Sequence, residues 1–193
     1  MAIRKVAVMG HPVLRQVSET VAPGEVDTQR IQRLIDDLIE TAHEYDGAGI
    51  ASPQIYEPVR ICLIEIRDNP RYPHFPNVPL TILINPKITV LNDAKLPKYE
   101  GCLSVPGIRG LVHRARGIRV DALDRHGEPL SFEARDLFAA TVQHELDHLD
   151  GKLFVDNVTD TRTLTFIPEY DRYWHKKGLE MLEAAGAELR RKS

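Results

Sequence analysis

The feature that most constrains this chain is the hexapeptide Gln143-His144-Glu145-Leu146-Asp147-His148, which contains the HExxH pattern. Four helical residues turn through about 400°, so His144 and His148 would share one face and could share one metal ion. Glu145 would then stand beside a water on that ion and could take its proton. The residues from about Asp136 to Leu149 read as the helix this requires, stopped by Asp150-Gly151. The plain alternative is a solvated helix face that happens to carry two histidines. A third ligand separates the two readings, because a catalytic centre of this kind keeps three protein ligands and one open position.

Four positions for that ligand can be weighed. A third histidine six residues after His148 would fall on Phe154, which excludes the metzincin arrangement. A thermolysin-like centre would take a glutamate roughly twenty residues downstream, and Glu169 lies in that window, although Pro168 fits poorly with a continuing helix. Cys102 lies in Glu100-Gly101-Cys102-Leu103-Ser104-Val105-Pro106-Gly107, and its thiolate would suit a borderline-soft divalent ion. It reads equally well as a core residue or a nucleophile. Cys62, inside the apolar run Ile61-Cys62-Leu63-Ile64, reads as a small buried hydrophobe. On spacing alone, Cys102 and Glu169 both stay open.

The rest of the chain sets the frame for such a site. At 193 residues it has the length of one domain, residues 1–193, able to bury a core without disulfides. With 42% hydrophobic and 27% charged residues it is unlike disordered, collagenous or membrane classes, and a net charge of −3 gives no reason to expect DNA as a partner. Two cysteines cannot make a disulfide framework and suggest a reducing compartment. No signal-peptide-like start and no run of ~18 apolar residues is present, so the expected location is the cytoplasm. Residues 27–45 carry a helical stripe, Ile31, Leu34, Ile35, Leu38, Ile39 and Ala42, capped by Asp27 or Thr28. Strands are expected at Val59 to Glu65, at Thr81 to Leu91 and in a hairpin of Gly117–Asp124 with Leu130–Ala134. Asp68 to Pro79, with four prolines, reads as a plain surface insertion, with a place folded near the cleft as the alternative, and a C-terminal helix is expected over about 169–190. Strands clustered mid-chain with helices at both ends predict an α+β fold.

One more segment carries a signal. Gly47-Ala48-Gly49-Ile50-Ala51-Ser52-Pro53-Gln54 is a turn whose glycines let backbone approach a ligand, and Gln54 offers an amide of the kind that holds an oxyanion. Alone it is no more than a glycine-rich turn.

Taken in order, the three segments resemble those of peptide deformylase: a GxGΦAAPQ loop, an EGCLS segment and a QHExDHLxG helix. Gly47–Gln54, Glu100–Ser104 and Gln143–Gly151 match them, with Ser52 where the family usually has alanine. The similarity extends through His11-Pro12-Val13-Leu14-Arg15 and Arg109-Gly110-Leu111-Val112-His113-Arg114, spanning roughly residues 3–158.

The resemblance implies mixed or antiparallel sheets around a central HExxH helix, and removal of the formyl group from the N-terminal formylmethionine of new proteins, releasing formate. It implies that Cys102, His144 and His148 bind the metal, so that Cys102 rather than Glu169 is the third ligand. Glu145 would be general base and acid, Gln54 and the N–H of Leu103 would hold the oxyanion, and the backbone of Gly47, Ala48, Gly49 and Ile50 would pair with the substrate. The donor set by itself favours zinc; the resemblance implies Fe²⁺, with zinc, nickel or cobalt able to occupy the site. The partners implied are N-formylmethionyl nascent polypeptides. Three lesser readings complete the set. Glu100 pairs with an arginine such as Arg114 to brace the metal loop, or sits in a surface pair. Arg190-Arg191-Lys192 is a solvated helix end, or a point of transient ribosome contact. His11, His43, His74, His113, His126 and His175 are structural or surface residues.

Overall fold

The stripe from Ile31 to Ala42 forms α1 (Gln29–Glu44), whose first turn is capped by Thr28, its hydroxyl accepting from the Ile31 N–H. In the computed structural model, which describes residues 2–190, there follow β1 (Gly49–Ala51), β2 (Ile61–Ile66), β3 (Val78–Val90), β4 (Lys95–Cys102), β5 (Val105–Ala115), β6 (Gly117–Leu123) and β7 (Pro129–Arg135). Then come α2 (Asp136–Leu149), β8 (Thr165–Phe166), α3 (Ile167–Glu169) and α4 (His175–Ala184), with a π-helical turn, Tyr170–Trp174, between the last two. One sheet has the order β1-β2-β3-β6-β7 and the other β4-β5-β8. All pairings within them are antiparallel; the isolated bridge of Glu19 with Val59 is parallel.

The run Ile61-Cys62-Leu63-Ile64 shows why the layers stack as they do. A strand apolar at every position is buried on both faces, and successive side chains point opposite ways. Ile61 and Leu63 pack with Ile31, Leu34, Ile35 and Leu38 of α1. Cys62, Ile64 and Ile66 pack with Leu137, Ala140, Val142 and Leu146 of α2. One helix therefore lies on each face of the larger sheet, and α2 also reaches β5 of the smaller one. A third cluster, Ala7, Val13, Leu14, Cys102, Val105, Leu153 and Phe154, carries the N-terminal segment across the end of β4. Gly151 has φ +71, and a Cβ there would meet the Arg15 carbonyl at 2.8 Å, so the chain leaving α2 can pass the N-terminal turn only without a side chain.

Two expectations need correction. The C-terminal helix expected over about 169–190 is present, as α3, the π turn and α4 in one run, but it ends at Ala184, where Gly186 at φ +70 and the Ala187 N–H bonded to the Leu182 carbonyl close it. Arg190 is consequently no helix end: its N–H donates to the His74 carbonyl at 2.8 Å, and its guanidinium reaches Asp68 and Asn77. Arg191 and Lys192 of the basic tail lie outside the described residues. Among the described residues no helix is long and apolar enough to cross a membrane.

Candidate metal centre

Helix α2 is buried on nearly every side, which is why its sequence shows no clean apolar stripe. Gln143 pins it to β5: its Oε1 accepts from the Ala115 N–H at 3.0 Å and its Nε2 donates to the Ala115 carbonyl at 2.9 Å. One turn on, the His144 and His148 rings meet edge to face, 5.1 Å between centroids. Cys102 comes from the end of β4, where the register against β5 slips between Gly101 and Cys102. Such a slip bends the strand and re-aims the side chain. It brings the Cys102 Sγ to 3.2 Å from His148 Nε2, and donor atoms of Cys102, His144 and His148 all lie within 4.8 Å of one another. Tetrahedral coordination with sulfur at ~2.3 Å and nitrogen at ~2.0–2.1 Å spaces its ligands roughly 3–4 Å apart. One thiolate and two imidazoles at this spacing fit a divalent ion.

The surroundings orient an imidazole and ionise the thiol. His144 Nδ1 lies 2.9 Å from Glu100 Oε2, which fixes the proton on Nδ1 and leaves the Nε2 lone pair for the centre. Glu100, 1% exposed, is gripped by Arg114, whose Nε and Nη2 donate to its two oxygens at 2.9 Å each. Arg114 Nη1 donates to Asp147 at 2.6 Å, and Asn157 donates to the same carboxylate at 2.9 Å. The expected Glu100–Arg114 pair is thus a buried brace rather than a surface contact. Burial would raise the Glu100 carboxyl, but Arg114 and the His144 hydrogen bond outweigh it and hold it well below the usual range. Burial likewise opposes ionisation of Cys102, yet the charge of His148 and hydrogen bonds from both histidines bring the thiol well below its ordinary value. Glu145 goes the other way: burial pushes it to about 7, against the pull of the two histidines.

Glu145 is 3% exposed, and its Oε2 has no hydrogen-bond partner among the described residues. It faces Gly49, where a Cβ would meet Glu145 Oε1 at 2.6 Å. Gln54 is oriented by the Ala51 N–H, which donates to its Oε1 at 2.9 Å; its Nε2 donates to Ser104 Oγ at 3.1 Å and points at Cys102 Sγ, 3.6 Å away. A cavity of about 40 Å³ joins Gly47, Ala48, Gly49, Gln54, Cys102, Leu103, His144 and Glu145. Ile50 is fully buried beside it in β1, an edge strand. Ser52, the departure from the motif, is accommodated because its hydroxyl donates to the Val59 carbonyl.

Two rival ligands fall away. Glu169 is exposed in α3 and outside the donor cluster, and Cys62 is fully buried in β2, where burial raises its thiol. The six other histidines also stand outside the cluster. The proline-rich loop needs the opposite correction, for it is not a plain surface insertion. Its Arg71, Tyr72 and Phe75 line the cavity, and Asn69 Nδ2 donates to the Asp46 and Gly47 carbonyls at 3.0 and 3.3 Å.

A family model described as polypeptide deformylase matches residues 3–163. The chain belongs to the polypeptide deformylase family. Peptide deformylase 2 of Nostoc sp. is 46% identical over 158 residues, covering 81% of this chain and 87% of the relative. The peptide deformylase of Leptospira biflexa is 40% identical over 172 residues, 89% of this chain and 96% of its own. The crystal structure of a class I type b peptide deformylase from Acinetobacter baumannii with Met-Ala-Ser bound superposes with a TM-score of 0.79 at 36% identity, covering 81% of this chain and 99% of that one. A Legionella pneumophila peptide deformylase structure covers 95% of this chain and 98% of its own, with a TM-score of 0.72 and 33% identity. This deformylase is therefore a metal-dependent hydrolase that removes the formyl group from N-terminal methionine. Sequence reasoning missed Lys98, Thr141, Tyr72 and Phe75 in the deformylase cleft. Lys98 had a usable signal: it lies two positions before Glu100, on the same face of an alternating strand.

Proposed function

We propose that the whole chain acts as one catalytic domain in which Cys102, His144 and His148 hold a single divalent ion, Fe²⁺, on the HExxH helix α2. The carrying observation is the convergence of one thiol and two imidazoles within 4.8 Å, with an unpaired buried carboxylate, Glu145, in the same cavity. Zinc, nickel and cobalt suit the same donors and are expected to substitute. When bound, the ion supplies Lewis acidity, making a water more acidic and offsetting negative charge on the formyl oxygen.

The chain's own residues do the rest. Glu145 takes a proton from the attacking water through the carboxylate that burial has made more basic. As the water oxygen bonds to the formyl carbon, negative charge grows on the former carbonyl oxygen. One Gln54 N–H is engaged by Ser104, and the second, now directed at Cys102, is available to that charge together with the Leu103 N–H. Glu145 then gives its proton to the departing amine as the C–N bond breaks and formate leaves. The substrate peptide lies along Gly47, Ala48, Gly49 and Ile50, adding a strand at the open edge of β1. Tripeptide binding in the Acinetobacter relative supports this reading. Because the substrate is a nascent chain, the reading places the enzyme in the cytoplasm with transient ribosome contact.

Anaerobic purification, metal analysis and a formate-release assay test the proposal together. Glu145→Gln should keep about one ion per chain and lose at least 10²–10⁴ of its kcat. Turnover near wild type in that variant would overturn the role of Glu145, and metal retained by Cys102→Ala would overturn the ligand set.

A further inference from the structure

Lys98 is the buried charge that the chemistry above leaves unused. It is 8% exposed on β4, paired in register with Val112, and strand alternation turns it to the face that carries Glu100. Among the described residues it makes no hydrogen bond and no ion pair. Its Nζ stands over the face of Phe75, 5.0 Å from the ring centroid. Lys98 lines the same small cavity as Cys102, His144, Glu145 and Thr141.

That cavity must receive the first side chain of the substrate. The Cβ of an N-formyl residue is three bonds from the formyl carbon, so it lies beside Glu145 and the donor cluster whenever the formyl group does. The cavity of about 40 Å³ has room for a water or two. A methionine side chain entering it meets the wall of Arg71, Tyr72, Phe75 and Lys98, which a second cavity of about 350 Å³ also touches. Lys98 brings an amine to that wall. The aromatic members of the wall accept hydrocarbon and sulfur alike, whereas the amine donates hydrogen bonds whether charged or neutral.

We propose that Lys98 selects the first residue of the substrate, favouring side chains that carry a lone-pair acceptor near their end, a thioether sulfur or a sulfoxide or amide oxygen, over hydrocarbons of the same length. The inference rests on the reaction centre assigned above. A site built to hydrogen-bond its substrate rejects the analogue that lacks the partner.

The test is formate release by the holoenzyme from three otherwise identical peptides beginning with formyl-methionine, formyl-norleucine and formyl-methionine sulfoxide. Wild type should prefer methionine to norleucine at least threefold in kcat/KM and accept the sulfoxide within tenfold of methionine. Lys98→Met should bring the methionine-to-norleucine ratio close to one and lower the sulfoxide at least a further tenfold relative to methionine. Lys98→Arg, which keeps N–H donors, should retain discrimination. Unchanged ratios in a Lys98→Met protein that holds its metal would overturn the proposal. So would a wild type that treats norleucine and methionine alike and rejects the sulfoxide a hundredfold, a result that needs no variant to fold. Absence of formate from the formyl-methionine peptide would instead count against the reaction centre itself.

Discussion

Replacing Arg114 with methionine tests how the metal centre is braced. The guanidinium makes two 2.9 Å hydrogen bonds to Glu100 and one of 2.6 Å to Asp147, with both Arg114 and Glu100 almost wholly buried. Methionine fills much of the same space but leaves the carboxylate unpaired. Breaking a buried pair from one side costs ~3–5 kcal/mol, which in a chain of this size is a fall of roughly 6–20 °C in Tm. Because Glu100 also orients His144, metal affinity should drop about 10–100-fold. The sign with pH follows from the two states. In wild type the Glu100 carboxyl lies well below its ordinary value, so its stabilisation is complete above the unfolded pKa of ~4.3 and is lost only as the pH falls through the lower folded value. In Arg114→Met, burial is opposed only by His144 and Lys98, and the folded pKa rises. The charged form then costs stability as pH increases, so the deficit should be largest near pH 8 and shrink toward pH 5. Urea unfolding of the two holoproteins at several pH values, with a competitive chelator titration, measures both quantities. The double variant Glu100→Leu/Arg114→Met should recover part of the loss, since no charge is left stranded. A deficit below ~1 kcal/mol, or one that grows on acidification, would refute the brace.

Two further outcomes follow from the cleft. Stripped of metal, the protein should lose stability as pH rises from about 5 to 8, because burial lifts Glu145 to about 7, above its ordinary ~4.3, and its ionised form then opposes folding. Thermal melts in chelator should show that slope in wild type and a shallower one in Glu145→Gln; identical slopes would remove Glu145 as the cause. Gly49→Ala should fold normally yet lower kcat at least tenfold, since its Cβ would sit 2.6 Å from the Glu145 carboxylate; steady-state formate release decides it, and an unaffected kcat would mean that Glu145 has room to move.

Regular elements that answer to one face were legible in the sequence. Helix α1 was expected over 27–45 and runs Gln29–Glu44; the HExxH helix runs Asp136–Leu149 as read; the hairpin forms as Gly117–Leu123 with Pro129–Arg135. The long pair β4 and β5 was not legible. Pro97, Gly101, Pro106 and Gly107 read as punctuation, and the buried faces of these strands carry Lys98, Glu100 and Arg114 where a pattern search expects hydrocarbon. Those polar residues serve the site, so function erased the strand signal. The brace on His144 was half visible, as a possible Glu100–Arg114 pair; Asp147 stood within the matched QHExDHLxG segment with no role attached to it. The proline-rich loop escaped because its composition reports only that it is irregular. What holds it in place, Asn69 on the Gly47 carbonyl and Arg190 on Asp68, is a set of contacts between distant parts of the chain.

The absence of a side chain at Gly49 also bears on how this cleft can evolve. A ligand that pairs with the edge of β1 addresses backbone, which no substitution deletes, and the position nearest the carboxylate cannot gain bulk without striking Glu145. Escape from an inhibitor that mimics the substrate would therefore be pushed outward, to residues of the wall such as Arg71, Tyr72 and Leu103, whose side chains reach the cavity without holding the donors. Selection experiments on this enzyme should find the interior of the cleft nearly immutable and its rim permissive.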